Sequence, residues 1–174
     1  MESLSLQEIV DNCHDPIWRL HNLYKITNKQ KKTITFRPNS VQDILMMSPR
    51  QYEAVLKARQ FGISTYYLLK KFDKTIWNRN QTTCILAHEQ DAIKKLFRIV
   101  RFAYENLPPE IRPRIAKGGG SIYELYFPEL NSRIYCDLES RGDTINNLHV
   151  SEYGFVKDPD KVRATWIVTG KHSS

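Results

Sequence analysis

Apolar residues recur at helical spacing from the start of the chain. Ile9, Cys13, Ile17 and Leu20 predict a helix over 5–21, capped by Ser5 and broken before Pro16, whose ring cannot continue the hydrogen-bond ladder. Residues 23–26 and 33–36 alternate apolar with polar around the turn formers Thr27, Asn28, Lys29 and Gln30, which predicts a hairpin. Pro38 ends it, and Ser40 opens a short helix through Gln42, Ile44 and Leu45.

From there the pattern alternates strand with helix. Residues 54–58 read as a buried strand, 64–72 as a helix rich in Tyr and Leu, and 82–87 as a second buried strand. The clearest helix is 89–106, with Ile93, Leu96, Phe97, Val100 and Tyr104 on one face and Pro108 and Pro109 after it. A glycine-bearing loop over 112–121 leads to strands at 121–127 and 132–136, and a short strand comes next at 148–151. Residues 160–170 are expected to form a helix, although Thr165, Trp166, Ile167, Val168 and Thr169 also suit a strand. Strands alternating with helices predict an α/β fold: a mostly parallel central sheet flanked by helices in three layers.

Composition narrows the class. With 174 residues, 41% hydrophobic and 26% charged, the chain suits one globular domain rather than a disordered one. No apolar run approaches the roughly 18 residues of a membrane helix, and no membrane partner is expected. Three cysteines without a CxxC pair argue against a disulfide framework, and five scattered histidines against zinc, so a reducing, cytoplasmic setting is expected. The net charge of +7 suits a polyanion such as nucleic acid or nucleotide phosphates, and equally an ordinary basic surface.

The candidate chemistry starts where the first central strand meets its helix. Strand, glycine loop and Ser/Thr at a helix start form the layout of a phosphate loop, with backbone N–H groups facing the phosphates and Ser64 reaching magnesium. The full GxxxxGK[ST] pattern is absent: Lys57 holds the first glycine position and Ile63 the lysine position. A plain strand, turn and Ser-capped helix has the same layout. Arg59 lies inside the loop and can replace the missing cation with a bidentate fork; Lys57 is the other candidate.

Leu148, His149, Val150, Ser151 and Glu152 form a short apolar strand ending in a carboxylate, the layout of a Walker B element. Glu152 is then the general base, and Ser151, in the first acidic position, holds a magnesium-bound water without contributing charge. Arg141, in an Arg-Gly turn, can present a guanidinium to a terminal phosphate or sit solvated in an ordinary turn. The amide of Gln42 can read an adenine edge or lie on a helix surface.

In this order, residues 36–42, 56–65, 85–88, 107–108 and 141–152 resemble the N-terminal ATPase domain of tailed-phage large terminases, the motors that package DNA into proheads. Lys57-Ala58-Arg59-Gln60 followed by Gly62, Ser64 and Thr65, paired with Leu148-His149 followed by Ser151-Glu152, carries most of it. The resemblance implies that Gln42 contacts adenine, and that Lys57, Arg59, Gln60, Gly62, Ile63, Ser64 and Thr65 form the ATP-binding loop. It also makes Glu152 the catalytic glutamate and has Arg141 act on a neighbouring subunit's nucleotide. Ser151 departs from the more widespread Asp-Glu pair.

The resemblance further implies an ATPase that uses ATP and Mg²⁺ to drive double-stranded DNA into a prohead. Its expected partners are the portal ring, the small terminase subunit and further copies of itself in a ring, in the host cytoplasm. Residues 1–36 would be an N-terminal helix and hairpin. Residues 37–174 would be the P-loop core, a fragment ending before the coupling strand and the nuclease domain, with no nuclease activity of its own. The alternatives are a helicase-like or remodelling ATPase, and a nucleic-acid-binding module with a degenerate ATP site.

Overall fold

The computed structural model describes residues 4–47, 53–55, 62–116, 122–139 and 144–151. The first helical stretch is divided as Pro16 requires. Helix α1 (Leu6–Asn12) is capped by a reciprocal pair in which the Glu8 N–H donates to the Ser5 hydroxyl at 3.2 Å and the Ser5 N–H donates to the Glu8 carboxylate at 2.8 Å. Helix α2 (Pro16–Asn22) starts on its proline, with the Asp15 carboxylate accepting the Ile17 N–H at 2.8 Å. Strands β1 (Lys25–Thr27) and β2 (Thr33–Thr35) pair antiparallel, Ile26 opposite Ile34, as the expected hairpin. Helix α3 (Ser40–Met47) comes next.

Helix α4 (Ile63–Ile76), strand β3 (Thr82–Leu86), helix α5 (Gln90–Glu105) and strands β4 (Glu124–Phe127), β5 (Ser132–Asp137) and β6 (Asn147–Val150) build the main unit. The sheet order is β4-β5-β3-β6. Strand β3 runs parallel to β5 and β6, while β4 is antiparallel to β5. The sheet is therefore mixed. Pro128 starts a single 3₁₀ turn and Asn131 closes it at φ +49°, so β4 and β5 form a hairpin, which reverses the chain without a crossover.

The expected strand at 54–58 is corrected where it is described. Ala54 and Val55 are exposed and belong to no strand; Leu56, Lys57 and Ala58 lie outside the described residues. The reason is a polar anchor. The Tyr67 hydroxyl on α4 donates to the Glu53 carboxylate, and Lys70 Nζ lies 3.7 Å from it, which draws this segment to α4.

Strand β3 has apolar side chains on both faces, as a covered strand requires. Ile85, Ile134, Cys136 and Phe127 share one core with Leu20 and Tyr24 of the N-terminal segment, with Tyr66, Leu69 and Phe72 of α4, and with Ile93 and Val100 of α5. Cys84, Leu86, Tyr135 and Ile145 form a second cluster, with Leu148 and Val150 against it. Cys84 and Cys136 thus belong to opposite faces, and none of the three cysteines is in a disulfide.

One buried polar network joins the N-terminal helices to α4. The Arg19 guanidinium donates to both Asp73 oxygens at 2.8 and 2.7 Å, and to the Cys13 carbonyl at 2.6 Å. The Tyr24 hydroxyl donates to the same carboxylate and accepts from the Trp77 indole at 3.2 Å. Arg19 also lies over the Trp77 ring, 4.6 Å from its centroid. Burial and the adjacent Asp73 charge push the Tyr24 hydroxyl well up from its ordinary value.

Candidate phosphate site at the N-terminus of α4

The direction of α4 decides where its positive end lies. Near its C-terminus, the Thr75 hydroxyl meets the Thr83 hydroxyl at the start of β3, 2.7 Å apart. Near its N-terminus, Tyr67 stacks on His149 late in β6, with ring centroids 5.8 Å apart and planes 17° apart. Helix α4 therefore runs antiparallel to β3 and β6. Its N-terminus stands at the C-terminal ends of the parallel strands, where open α/β sheets bind ligands.

Gly62 is the N-cap of α4, with φ +66° and no side-chain cap. Its carbonyl accepts the Tyr66 N–H at 3.0 Å, which leaves the first-turn N–H groups of Ile63, Ser64 and Thr65 without intrahelical partners. These donors and the helix dipole suit an anion. Ser64 and Thr65 are half-buried, and among the described residues neither hydroxyl makes a hydrogen bond. Ile63 is 4% exposed and packs into the main core. Its side chain is therefore committed to the core, and its backbone N–H is the group it presents at the start of the helix.

Gln42 is buried at 3% exposure, so it is no ordinary helix-surface residue. Its amide oxygen accepts the Asn39 N–H at 3.1 Å, while Asn39 Oδ1 accepts the Gln42 N–H at 3.1 Å. This reciprocal pair closes the N-terminus of α3. The other end of the amide faces Gly62: a Cβ built on that residue would lie 3.0 Å from Gln42 Nε2.

Ser151 extends the β6 ladder by one residue, its N–H donating to the Leu86 carbonyl at 2.9 Å. Leu148 and Val150 belong to the second cluster, and side chains alternate along a strand, so Ser151 shares the α4 face with His149. Gln42, Gly62, Ser64, Thr65 and Ser151 thus come from three elements that meet at one end of the sheet. Lys57, Arg59, Gln60, Arg141 and Glu152 lie outside the described residues.

Tyr67 was not singled out by the sequence, yet it links all three parts. It bonds Glu53 ahead of the loop, belongs to α4 and stacks on β6. Lys70 lies 5.6 Å from the ring centroids of both Tyr66 and Tyr67. Burial pushes the Tyr66 hydroxyl up to about 12, and burial with the Glu53 contact raises Tyr67 further. One turn on, burial lowers the Lys71 ammonium to about 8, with Lys74 and Lys70 adding repulsion. No sequence period signals these contacts.

A cavity of about 410 Å³ opens at the opposite end of the sheet, beside Thr82, Tyr126, Arg133 and Asn146, remote from Gly62. Among the described residues no group of three or more His, Cys, Asp or Glu is placed to hold a metal ion. No helix among them is long and apolar enough to cross a membrane. The chain is an α/β protein with a mixed sheet and helices, an architecture compatible with a three-layer fold. Comparison with protein-family models and with curated proteins found no match.

Proposed function

We propose that this chain is the ATPase part of a DNA-packaging motor of the large-terminase kind, a P-loop NTPase with a divergent phosphate loop. One observation carries the reading. Gln42 and Gly62, singled out for different parts of a nucleotide, meet at the N-terminus of α4, with Ser151 at the same end of the sheet. Every helix start favours an anion; this one adds a buried amide beside it and two hydroxyls without partners among the described residues.

In this reading the backbone N–H groups of Ile63, Ser64 and Thr65 hold the phosphates, and Arg59 or Lys57 supplies the cation that Ile63 lacks. Gln42 orients the base. Ser64 offers magnesium a hydroxyl oxygen and Ser151 can hold a magnesium-bound water, so both residues fit that ion. Bound there, magnesium would neutralise phosphate charge. Glu152 orients and deprotonates the attacking water, and Arg141 stabilises the transferring phosphoryl group from a neighbouring subunit. The work of this chain's residues is positioning and electrostatics. The polyanion that the motor moves is double-stranded DNA, and its other partners are the portal ring, the small terminase subunit and copies of itself, in the host cytoplasm.

Glu152→Gln tests the assignment, because it keeps the side chain's shape and removes the base. In the assembled motor it should retain ATP binding and lose about 10²- to 10⁴-fold in hydrolysis. Unchanged turnover would remove Glu152 from the mechanism. ATP binding with no hydrolysis in the wild-type motor would favour a binding module with a degenerate site, a reading to which the buried side chain of Ile63 lends its support.

A further inference from the structure

Helix α5 has two different faces. Ile93, Leu96, Phe97, Val100, Ala103 and Tyr104 are buried. The outward side carries Lys94, Lys95, Arg98 and Arg101, all exposed. Lys94, Arg98 and Arg101 follow the i, i+4, i+7 spacing of a single stripe, with Lys95 beside it. We propose that this outer face of α5 is a docking surface for the phosphodiester backbone of double-stranded DNA, separate from the site at Gly62.

Geometry and charge both favour a polyphosphate. From Lys94 to Arg101 the helix rises about 10 Å, and a DNA duplex carries one negative charge per roughly 1.7 Å of its axis. Over that length a duplex carries about six phosphate charges, about three on each strand, and the helix sets four cations against them, Lys94 shared with Asp91. The acidic residues stand at the margins: Asp91 pairs with Lys94 at 3.0 Å, and Glu105 and Glu110 come after Arg101. No carboxylate lies between Lys94 and Arg101 in the helix.

Two arginines are pre-oriented. Arg101 lies over the Phe97 ring at 5.3 Å and donates one N–H to the Ile122 carbonyl at 3.3 Å, which leaves guanidinium donors for a ligand. Arg112 donates to the Glu105 carbonyl at 3.0 Å and lies 5.9 Å from the Tyr104 ring centroid, extending the basic surface past the helix end towards exposed Arg114. Pre-orientation lowers the entropy lost on binding. Lys95 and Arg98 make no hydrogen bond or ion pair among the described residues, so their charge is not consumed within the fold. No feature here reads a base edge, so the contact is independent of sequence. The inference does not depend on nucleotide binding at Gly62.

The test is an anisotropy titration of a labelled 30-base-pair duplex against the full chain, without nucleotide, over a series of salt concentrations. Lys95→Ala/Arg98→Ala is compared with Lys31→Ala/Lys32→Ala, which removes equal charge from the N-terminal hairpin turn. The α5 pair should flatten the slope of log K against log salt by about two and weaken binding tenfold or more at low salt, while the hairpin pair changes affinity far less. Charge reversal, Lys95→Glu/Arg98→Glu, should nearly abolish binding in a variant whose circular dichroism and melting temperature match the wild type. Equal losses in the α5 and hairpin pairs would overturn the proposal, as would a wild-type chain that binds no duplex. A chain that binds ATP but fails this test loses only the α5 surface; one that passes it but binds no ATP loses only the nucleotide site.

Discussion

Gln42 Nε2 lies 3.0 Å from the point where a Cβ on Gly62 would sit, and Gly62 holds φ at +66°. Two separate constraints therefore act at one residue: a left-handed backbone and the close approach of a buried amide. The same amide closes the N-terminus of α3 through Asn39. Gly62 and the start of α3 are packed as one unit.

Gly62→Ala should destabilise the protein by about 1–3 kcal/mol, of which about 1–2 is the left-handed conformation. Gln42→Ala should cost about 1 kcal/mol through loss of the reciprocal cap. Because the new methyl group and the amide compete for one space, the double variant should lose less than the sum of the two. Urea unfolding of the three variants measures this coupling, and strict additivity would place the two residues apart.

The buried ion pair supplies a second expectation. Arg19 and Asp73 are each about 5% exposed and the carboxylate is fully engaged. Asp73→Asn leaves a buried guanidinium without its counter-charge, which should cost about 3–5 kcal/mol. Replacing both partners, in Arg19→Leu/Asp73→Leu, should recover part of that loss. Thermal melts of the single and double variants check it; a double variant worse than Asp73→Asn would contradict the account.

The sequence showed the local structure well. Pro16 after Asp15 marks the break between α1 and α2, and the apolar stripe from Ile93 to Tyr104 marks α5. Features set by distant contacts were hidden. Asp73 lies far along the chain from Arg19 and Tyr24, and no period connects them. Ala54 and Val55 look like a strand because they are apolar, but the Glu53 contacts to Tyr67 and Lys70 decide their path. The antiparallel β4 was legible in principle, since Pro128 and Asn131 are turn formers, yet the alternation of strands and helices outweighed them. At the candidate site, the spacing of Asn39 and Gln42 is itself a capping signature. Reading Gln42 as a base contact or a helix-surface residue missed its structural role as the buried partner in the α3 cap.

Lys71 gives the fold a pH dependence. Its folded value is about 8, below the roughly 10.4 of an unfolded lysine. The unfolded chain therefore holds this proton more tightly, and the cost of charging Lys71 is fully present below pH 8. That cost fades as pH rises towards 10.4, because the folded protein sheds the proton first. Lys71→Met should be more stable than the wild type by about 1–3 kcal/mol at pH 7, with the gap closing by pH 10. Denaturant unfolding at the two values checks it; a gap independent of pH would show that burial does not shift this lysine.

In the proposed site, the N-terminus of α4, with Gln42 behind it and Ser64 in its first turn, holds a nucleotide's phosphates. The most direct measurement is a calorimetric titration of ATP with magnesium into the full chain and into Ser64→Ala and Gln42→Ala, each first shown to be folded. Binding to the wild type should be saturable and competed by ADP but not by adenosine. It should weaken by about tenfold in Ser64→Ala, with a loss in Gln42→Ala that is larger for ATP than for inorganic triphosphate. Absence of wild-type binding, or equal affinity in all three proteins, would contradict the proposed site.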